Sequence, residues 1–312
     1  MLNTIHLRTF LTVVDAGSYS AAAQRLHMSQ PAVSQQIRAL EEQLGNIRLF
    51  RRVGQRMAPT HAGEELLPSA RELVQLAERA EQNIVALRGQ LTGRVLVGCT
   101  ASSGERLLPR LLAIFHSRHP AVSIEMGIGT TDDLLDAVAE RRIGLALLED
   151  PPRRRGLEAI TIGSEPLLLI APSGHPLLKQ NQVPPGVLRD HPLALPRAGN
   201  VLRRIIEDGL RRRSLTPTDL QLALESDSVT TLIEAVRAGF GMAFVPRSCL
   251  PARASGYDTV ELAGNPLHQE WFLVRPRERG GPRASHALID FLLDDETMAL
   301  WRKLGITPER KA

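Results

Sequence analysis

Residues 18–45 read SYSAAAQRLHMSQPAVSQQIRALEEQLG, and this stretch decides the fold of the N-terminal part. Ser18 suits the N-cap of a short helix, and Ala21, Ala22 and Ala23 give that helix a face another helix can approach closely. His27 and Met28 make a tight connection. Ser29 then caps a second helix that tolerates Pro31 in its first turn. Val33, Ile37, Leu40 and Leu44 recur at helical spacing and form its buried side, and Gly45 stops it. Its outer side carries Gln30, Ser34, Gln35 and Arg38, side chains able to hydrogen-bond base edges and phosphates. Glu41 and Glu42 come late, clear of a groove that the helix N-terminus would enter.

Working outward, Leu7, Phe10, Leu11 and Val14 mark an amphipathic helix ended by Gly17. Downstream, LFRRVGQRM (49–57) reads as a hairpin turning near Gly54, with Arg51 and Arg52 on one arm and Arg56 on the other. A basic hairpin beside a helix-turn-helix is a wing, suited to phosphates or the minor groove. Residues 1–61 hold seven arginines against Asp15, Glu41 and Glu42, which accounts for the whole net charge of +4. Such segregation suits a polyanion-binding module on a neutral body, although charge alone equally suits a solvated face.

From residue 66 the pattern becomes a heptad seam of Leu66, Ala70, Leu73, Ala77, Ala80, Ile84, Leu87 and Leu91. Thr60 suits its cap, and Pro68 should kink the helix or delay its regular start. The seam predicts dimerisation, with packing against the helix's own domain as the other reading. A homodimer would set two helix-turn-helix units on a two-fold axis to read a palindromic site in double-stranded operator DNA. Gly89, Thr92 and Gly93 mark a hinge.

The body alternates apolar runs with helical patterns. Strands are expected at 94–98, 122–126 and 145–148, with helices at 107–116 and 134–139, a βαβαβ order that predicts a mostly parallel sheet. A second set has strands at 167–171, 193–195 and 221–224, helices at 203–212, 229–238 and 285–293, and a tight turn into a buried strand after Gly241. Two α/β units imply two lobes with a cleft beyond the carboxyl ends of their strands. Candidate cleft residues are Thr100, Ser102 and Ser103 after the first strand, Thr130 and Thr131 after the second, and Asn200, Arg203 and Ser228 in the other lobe. Hydroxyls and free N–H groups at such turns favour an anionic small molecule, although each hydroxyl also suits a helix cap.

FLTVVDAGSYSAAAQRLHMSQPAVSQQIRALEEQLGNIRLFRR and PTHAG closely resemble the DNA-binding domain of LysR-type transcriptional regulators. RVLVGCTASSGERLLP, GTTDDLLDAV, GHPL and SDSVTTLIEAVRAGFGMAFVP resemble the same family's effector domain, which is similar to periplasmic binding proteins. The resemblance implies that Gln30, Pro31, Ser34, Gln35 and Arg38 face DNA with Arg51 and Arg52 on the wing, while Ser18 and Ser29 reach phosphates. It also implies a dimer, often a tetramer. With one DNA module, one dimer seam and one cleft domain in a single chain, an effector in the cleft is expected to change lobe or subunit geometry, and so half-site spacing or DNA bending and RNA polymerase recruitment. The chain departs from the family pattern at Gly144, where an acid is usual, and at RAGNVLR (197–203), where Asn200 and Leu202 replace hydroxyl residues. These departures leave a carboxylate or other organic anion, rather than a small inorganic one, as the expected effector.

The expected architecture is therefore multidomain. A winged helix-turn-helix spans 1–61, a linker helix 62–91 and an α/β two-lobed effector domain 92–300, followed by a tail at 301–312. Lobe I is expected at about 92–163 and 268–300 and lobe II at about 164–267, with crossovers near 163–164 and 266–268. Neither a signal peptide nor a membrane-length apolar run is evident, so a cytoplasmic protein is expected, and Cys99 and Cys249 do not form a disulfide framework. Two other readings stand beside the regulator: a redox-responsive variant using Cys99, and a cytosolic small-molecule-binding protein or enzyme without a DNA role. No P-loop, Rossmann fingerprint or nucleophile elbow is present, and His116 with His119 lacks a third metal ligand, so no enzyme activity, cofactor or metal is expected.

Overall fold

The computed structural model describes residues 2–86, 90–151, 154–251, 255–278 and 280–309. It divides into two compact units, one built on the chain up to Leu91 and the other on the chain from Thr92.

The first unit contains α1 (Thr4–Ala16), α2 (Tyr19–Arg25), α3 (Gln30–Gln43), the hairpin β1 (Phe50–Val53) and β2 (Arg56–Pro59), and α4 (His61–Ala86). Three of its helices start on side-chain caps. Asn3 accepts from the Ile5 N–H at 2.9 Å, Ser18 from Ala21 at 3.1 Å and Ser29 from Ala32 at 3.4 Å. Leu7, Phe10, Val13, Ala22, Val33, Ile37 and Leu40 close the core, with Leu49 and Phe50 from the hairpin. Glu41 is buried and fastens the hairpin to α3, accepting from Arg48 at 3.0 Å and from the Leu49 N–H at 2.9 Å. Thr60 caps α4 through Gly63 N–H at 3.2 Å. Pro68 does not delay α4, which is already helical from His61.

The seam expected along α4 needs correction. Ala70 is fully buried in this unit's own core, where Leu66, Leu67 and Val74 also pack, so Leu66 and Ala70 are not free for a partner helix. The reason is that the first part of α4 covers α1. Leu73, Ala80 and Ile84 are exposed, as is Leu76, which the heptad reading omits, and Ala77 is half-buried. Leu87 lies outside the described residues, and Leu91 follows the last described turn of the helix.

The second unit runs β3 (Gly93–Cys99), α5 (Ala101–Gly104), α6 (Leu107–Arg118), β4 (Val122–Ile128), α7 (Thr131–Ala139), β5 (Leu145–Leu148), β6 (Leu157–Pro172), β7 (Pro192–Leu195), α8 (Val201–Arg211), β8 (Gln221–Glu225), α9 (Val229–Arg237), β9 (Ala243–Pro246), β10 (Tyr257–Val260), β11 (Leu267–Pro276), α10 (Arg283–Leu293), α11 (Asp295–Lys303) and β12 (Thr307–Pro308). The main sheet has the order β10-β6-β11-β5-β3-β4, with β9 and β12 also on β6. β3 is parallel to β4 and β5, and β7 to β8, but β6 and β11 are antiparallel to all their partners. The sheet is therefore mixed rather than mostly parallel, because β6 and β11 run through both lobes and pair with each other.

The expected tail is also corrected. Trp301 on α11 is fully buried and donates to the Leu292 carbonyl at 3.0 Å, and β12 adds to β6. Gly163 permits this addition. Its φ is +157°, and a Cβ there would sit 2.2 Å from the Thr307 carbonyl oxygen.

One buried carboxylate stands where β6 and β11 cross. Glu165, paired in register with Gln269, has no exposure and accepts four hydrogen bonds: Ser248 N–H at 2.7 Å, Ser248 hydroxyl at 2.9 Å, Gln269 at 3.0 Å and Trp271 Nε1 at 2.7 Å. Burial pushes its carboxyl up, and the four donors oppose that shift. Glu165→Ala leaves several buried donors unpaired and is expected to cost roughly 3–5 kcal/mol. Glu165→Gln, which keeps volume and one acceptor, should cost less. Chemical denaturation of both variants checks this, and an Ala variant as stable as wild type would contradict it.

Candidate functional site

Two surfaces carry chemistry. On the first unit, Ser29, Gln30 and Pro31 open α3 at an exposed helix N-terminus, and Gln35 and Arg38 are exposed one and two turns on. Ser34 is half-buried on the same helix. Arg51 and Arg52 are exposed on β1, and Arg52 Nε also donates to the Gly54 carbonyl at 3.1 Å, stiffening the turn of the hairpin. Ser18 is half-buried with its hydroxyl on the α2 cap. The first turn of α3 contains no acid, and Glu41 is spent on the hairpin, so the leading end of α3 keeps its positive dipole.

On the second unit, the carboxyl ends of β3, β4, β5, β7 and β8 converge on a cleft of about 710 Å³. Lobe I contributes Thr100, Ser102, Thr130, Thr131, Asp132, Asp133, Glu149 and Asp150, and lobe II contributes Arg197, Asn200, Arg204 and Asp227. A second cavity of about 1200 Å³ shares Thr131, Asp132, Glu149, Asp150 and Arg204 with it. Asp150 pairs with Arg204 at 2.5 Å from one lobe to the other. Glu105 also spans the lobes, accepting from Thr230 N–H at 2.8 Å and Thr230 hydroxyl at 2.7 Å.

Glu149 dominates the floor. It is 5% exposed and follows β5 directly. Its Oε1 accepts from Thr100 at 2.6 Å and from the Ser102 hydroxyl. Burial pushes this carboxyl up, the two hydroxyls and its own N–H oppose the shift, and neighbouring Asp150 adds to it.

The comparisons with known proteins bear on both surfaces. Residues 5–64 match the bacterial regulatory helix-turn-helix protein, lysR family, and residues 88–296 match the LysR substrate binding domain. The chain belongs to the LysR family. It is a DNA-binding transcriptional regulator with an effector-binding domain. Among its relatives is the HTH-type transcriptional regulator CbbR of Xanthobacter flavus, 32% identical over 92% of this chain and 86% of that protein. Full-length CbnR complexed with its target DNA is similar at a TM-score of 0.63 and 26% identity, covering 93% of this chain and 98% of that one. A cysteine-to-aspartate variant of full-length OxyR from Pseudomonas aeruginosa shares the fold at a TM-score of 0.74 and 22% identity, covering 100% of this chain and 99% of that one.

Of the cleft residues expected from sequence, Thr100, Ser102, Thr130, Thr131 and Asn200 line this cleft. Asn200 caps α8 through Leu202 N–H at 2.9 Å and donates to Asp227 at 2.9 Å. Thr130 donates to Asp133 at 2.6 Å. Three others are corrected. Ser103 is fully buried and donates to backbone at Thr100 and Leu147. Ser228 faces the α9 cap, accepting from Thr231 N–H at 3.1 Å. Arg203 is 9% exposed and braces its own lobe through Glu207 at 2.6 Å, the Pro196 carbonyl at 2.9 Å and Glu225 at 3.2 Å. One residue on, about 100° round the helix, Arg204 is the side chain that meets the cleft. The carboxylates were missed, although Glu149 and Asp150 end LALLED at a strand terminus, the rule that found the hydroxyls.

The cysteines give the redox variant no support. Cys99 is buried and its thiol is pushed up to about 12, chiefly by burial and then by the Glu149 charge. Burial also pushes the Cys249 thiol up, and its Sγ donates to the Ser102 carbonyl at 3.3 Å. Thiolate, the nucleophile that attacks peroxide, is disfavoured at both. Among the described residues, no three His, Cys, Asp or Glu side chains gather as a metal site, and no helix is long and apolar enough to cross a membrane.

Glu149 yields a pH signature. A carboxyl raised above its unfolded value holds a proton longer in the folded state, so folded stability falls as pH climbs from the unfolded value to the folded one. Glu149→Gln lacks this loss. Its stability relative to wild type is expected to rise as pH climbs above the ordinary glutamate value. Melting temperatures of the two proteins at mildly acidic and at neutral pH test it, and a difference independent of pH would contradict it.

Proposed function

We propose that two copies of the chain join along the exposed stripe Leu73, Leu76, Ala80 and Ile84 of α4 and present two α3 helices to successive major grooves of double-stranded operator DNA. Gln30, Pro31, Ser34, Gln35 and Arg38 read base edges, and Arg51 and Arg52 hold phosphates. The observation that carries this reading is the α3 and hairpin surface itself: all seven arginines of residues 1–61 lie in the unit that holds it, and its one buried acid, Glu41, is tied inward. A small molecule in the cleft acts through its different affinity for two arrangements of the lobes, and so alters how RNA polymerase is engaged at the promoter. The cleft is a binding site rather than a catalytic one. Thr100 and Ser102 donate to Glu149 and so fix its carboxylate in the cleft floor.

Footprinting on upstream genomic DNA tests the DNA reading. Wild type is expected to protect a site with two-fold symmetry. Gln35→Ala combined with Arg38→Ala should weaken that site roughly 10- to 100-fold while sparing non-specific affinity. Arg51→Ala with Arg52→Ala should instead weaken every sequence and flatten the salt dependence by about one to two charges. A wild-type footprint without symmetry, or one indifferent to the α3 changes, would defeat the proposal. The interface has its own check. Leu76→Glu with Ile84→Glu is expected to shift the sedimenting species to monomer with the helical content retained, and an unchanged mass would move the interface elsewhere.

A further inference from the structure

Three of the hydroxyls expected to greet an anion, those of Thr100, Ser102 and Thr130, are already committed. Thr100 and Ser102 both donate to Glu149 Oε1, so an anion entering between them would meet a carboxylate instead of free donors. Thr130 donates to Asp133. The walls add Asp132, Asp133, Asp150 and Asp227, against Arg197 and Arg204. Arg204 is engaged by Asp150 at 2.5 Å, and Arg197 lies 4.0 Å from Asp227.

Two buried polar atoms on this lining have no hydrogen-bond partner, Glu149 Oε2 and Thr131 Oγ1. Both residues line both cavities. Once ionised, this carboxyl has only acceptor capacity, and burial makes that form costly while Oε2 is unpaired. A ligand repairs that cost if it brings a donor, and repairs the charge as well if the donor is cationic. A ligand carboxylate or phosphate would do neither.

We propose that the effector is a small organic cation whose primary ammonium or amidinium group donates to Glu149 Oε2, with the Thr131 hydroxyl as a further polar contact. This rests on the reading of the cleft as the effector site, and it replaces the anionic effector expected from the turn hydroxyls. The surrounding carboxylates receive a second positive group where the ligand has one. Glu149 thereby determines ligand class: the turn that could cradle an anion is occupied by the protein's own.

The test uses the full chain, with 1,4-diaminobutane, sodium acetate and sodium sulfate as probes at matched ionic strength. Binding is read by calorimetry, and its location by protection of the backbone amides at 129–134 and 149–150 from hydrogen exchange. The diamine is expected to bind saturably and protect those amides, while acetate and sulfate do not. Glu149→Gln should bind the diamine roughly 10-fold or more weakly, the loss of one charge-assisted hydrogen bond. Thr131→Val, which keeps the shape, should bind it a few-fold more weakly and serves if the Glu149 variant fails to fold. If acetate or sulfate protects the cleft amides and the diamine does not, the cleft reading stands and the cation proposal falls. Equal diamine binding by wild type and Glu149→Gln overturns it too. If no probe protects these amides, the proposal falls, and the cleft reading falls with it only if a wider set of uncharged metabolites also leaves them unprotected.

Discussion

Four hydrogen bonds to one carboxylate hold the point through which both lobes are threaded. β6 and β11 each run from one lobe into the other, so the spacing of the cleft walls depends on how these two strands are fixed together. Glu165 fixes them by drawing Gln269 and Trp271 of β11 and the Ser248 turn onto one buried charge. A buried charge gives little net stability, since desolvation consumes most of the attraction, but it penalises every arrangement in which its donors are misplaced. The crossing is thereby specified rather than merely stuck. The contacts continue toward the cleft: Ser248 adjoins Cys249, whose thiol donates to the Ser102 carbonyl, and the Ser102 hydroxyl donates to Glu149. The strand crossing and the cleft floor are thus joined by an unbroken run of short contacts.

How much of this was legible in the sequence follows from which interactions are local. The helix-turn-helix could be read almost to the residue, because caps at Ser18 and Ser29, stops at Gly17 and Gly45 and the spacing Val33, Ile37, Leu40 are decided within one or two turns. The strands β3, β4, β5, β7 and β8 were legible from short apolar runs. β10 and β11 were not, because β11 (LHQEWFLVRP) carries polar residues at its start, and the burial of Gln269 makes sense only beside Glu165, more than a hundred residues away. α11 and β12 read as a tail for a similar reason: a polar helix holds one buried tryptophan that only the fold reveals. Along α4 a spacing of three and four shows that a face is apolar but not what covers it. Ala70 and Ile84 share that spacing, yet one is buried by α4's own unit and the other is 69% exposed.

The cleft divides in the same manner. That ligands meet the carboxyl ends of parallel strands is a property of topology, and it located Thr100, Thr130 and Asn200. Which of two adjacent arginines enters is a matter of helix phase: Arg203 turns inward to Glu207 and Glu225, Arg204 outward to Asp150. The sign of the cleft was the least legible feature. A hydroxyl is both donor and acceptor, and the turn sequence CTASSG does not disclose that its protons are directed at an acid from a neighbouring strand.

The two surfaces therefore have opposite electrostatic character within one chain. The basic excess is confined to the unit carrying α3 and the hairpin, while the cleft is lined by more carboxylates than arginines. This separation has a consequence for specificity. DNA affinity rests on exposed charge and counterion release, so it falls steeply with salt. The acid at the cleft floor is buried, and its interactions are screened far less. On the proposed reading, a polyanion gains nothing at the cleft and a small cation gains nothing at α3, so the two ligands would not compete for one another's sites. Any influence of one on the other must then pass through the protein's conformational equilibrium, and not through direct displacement.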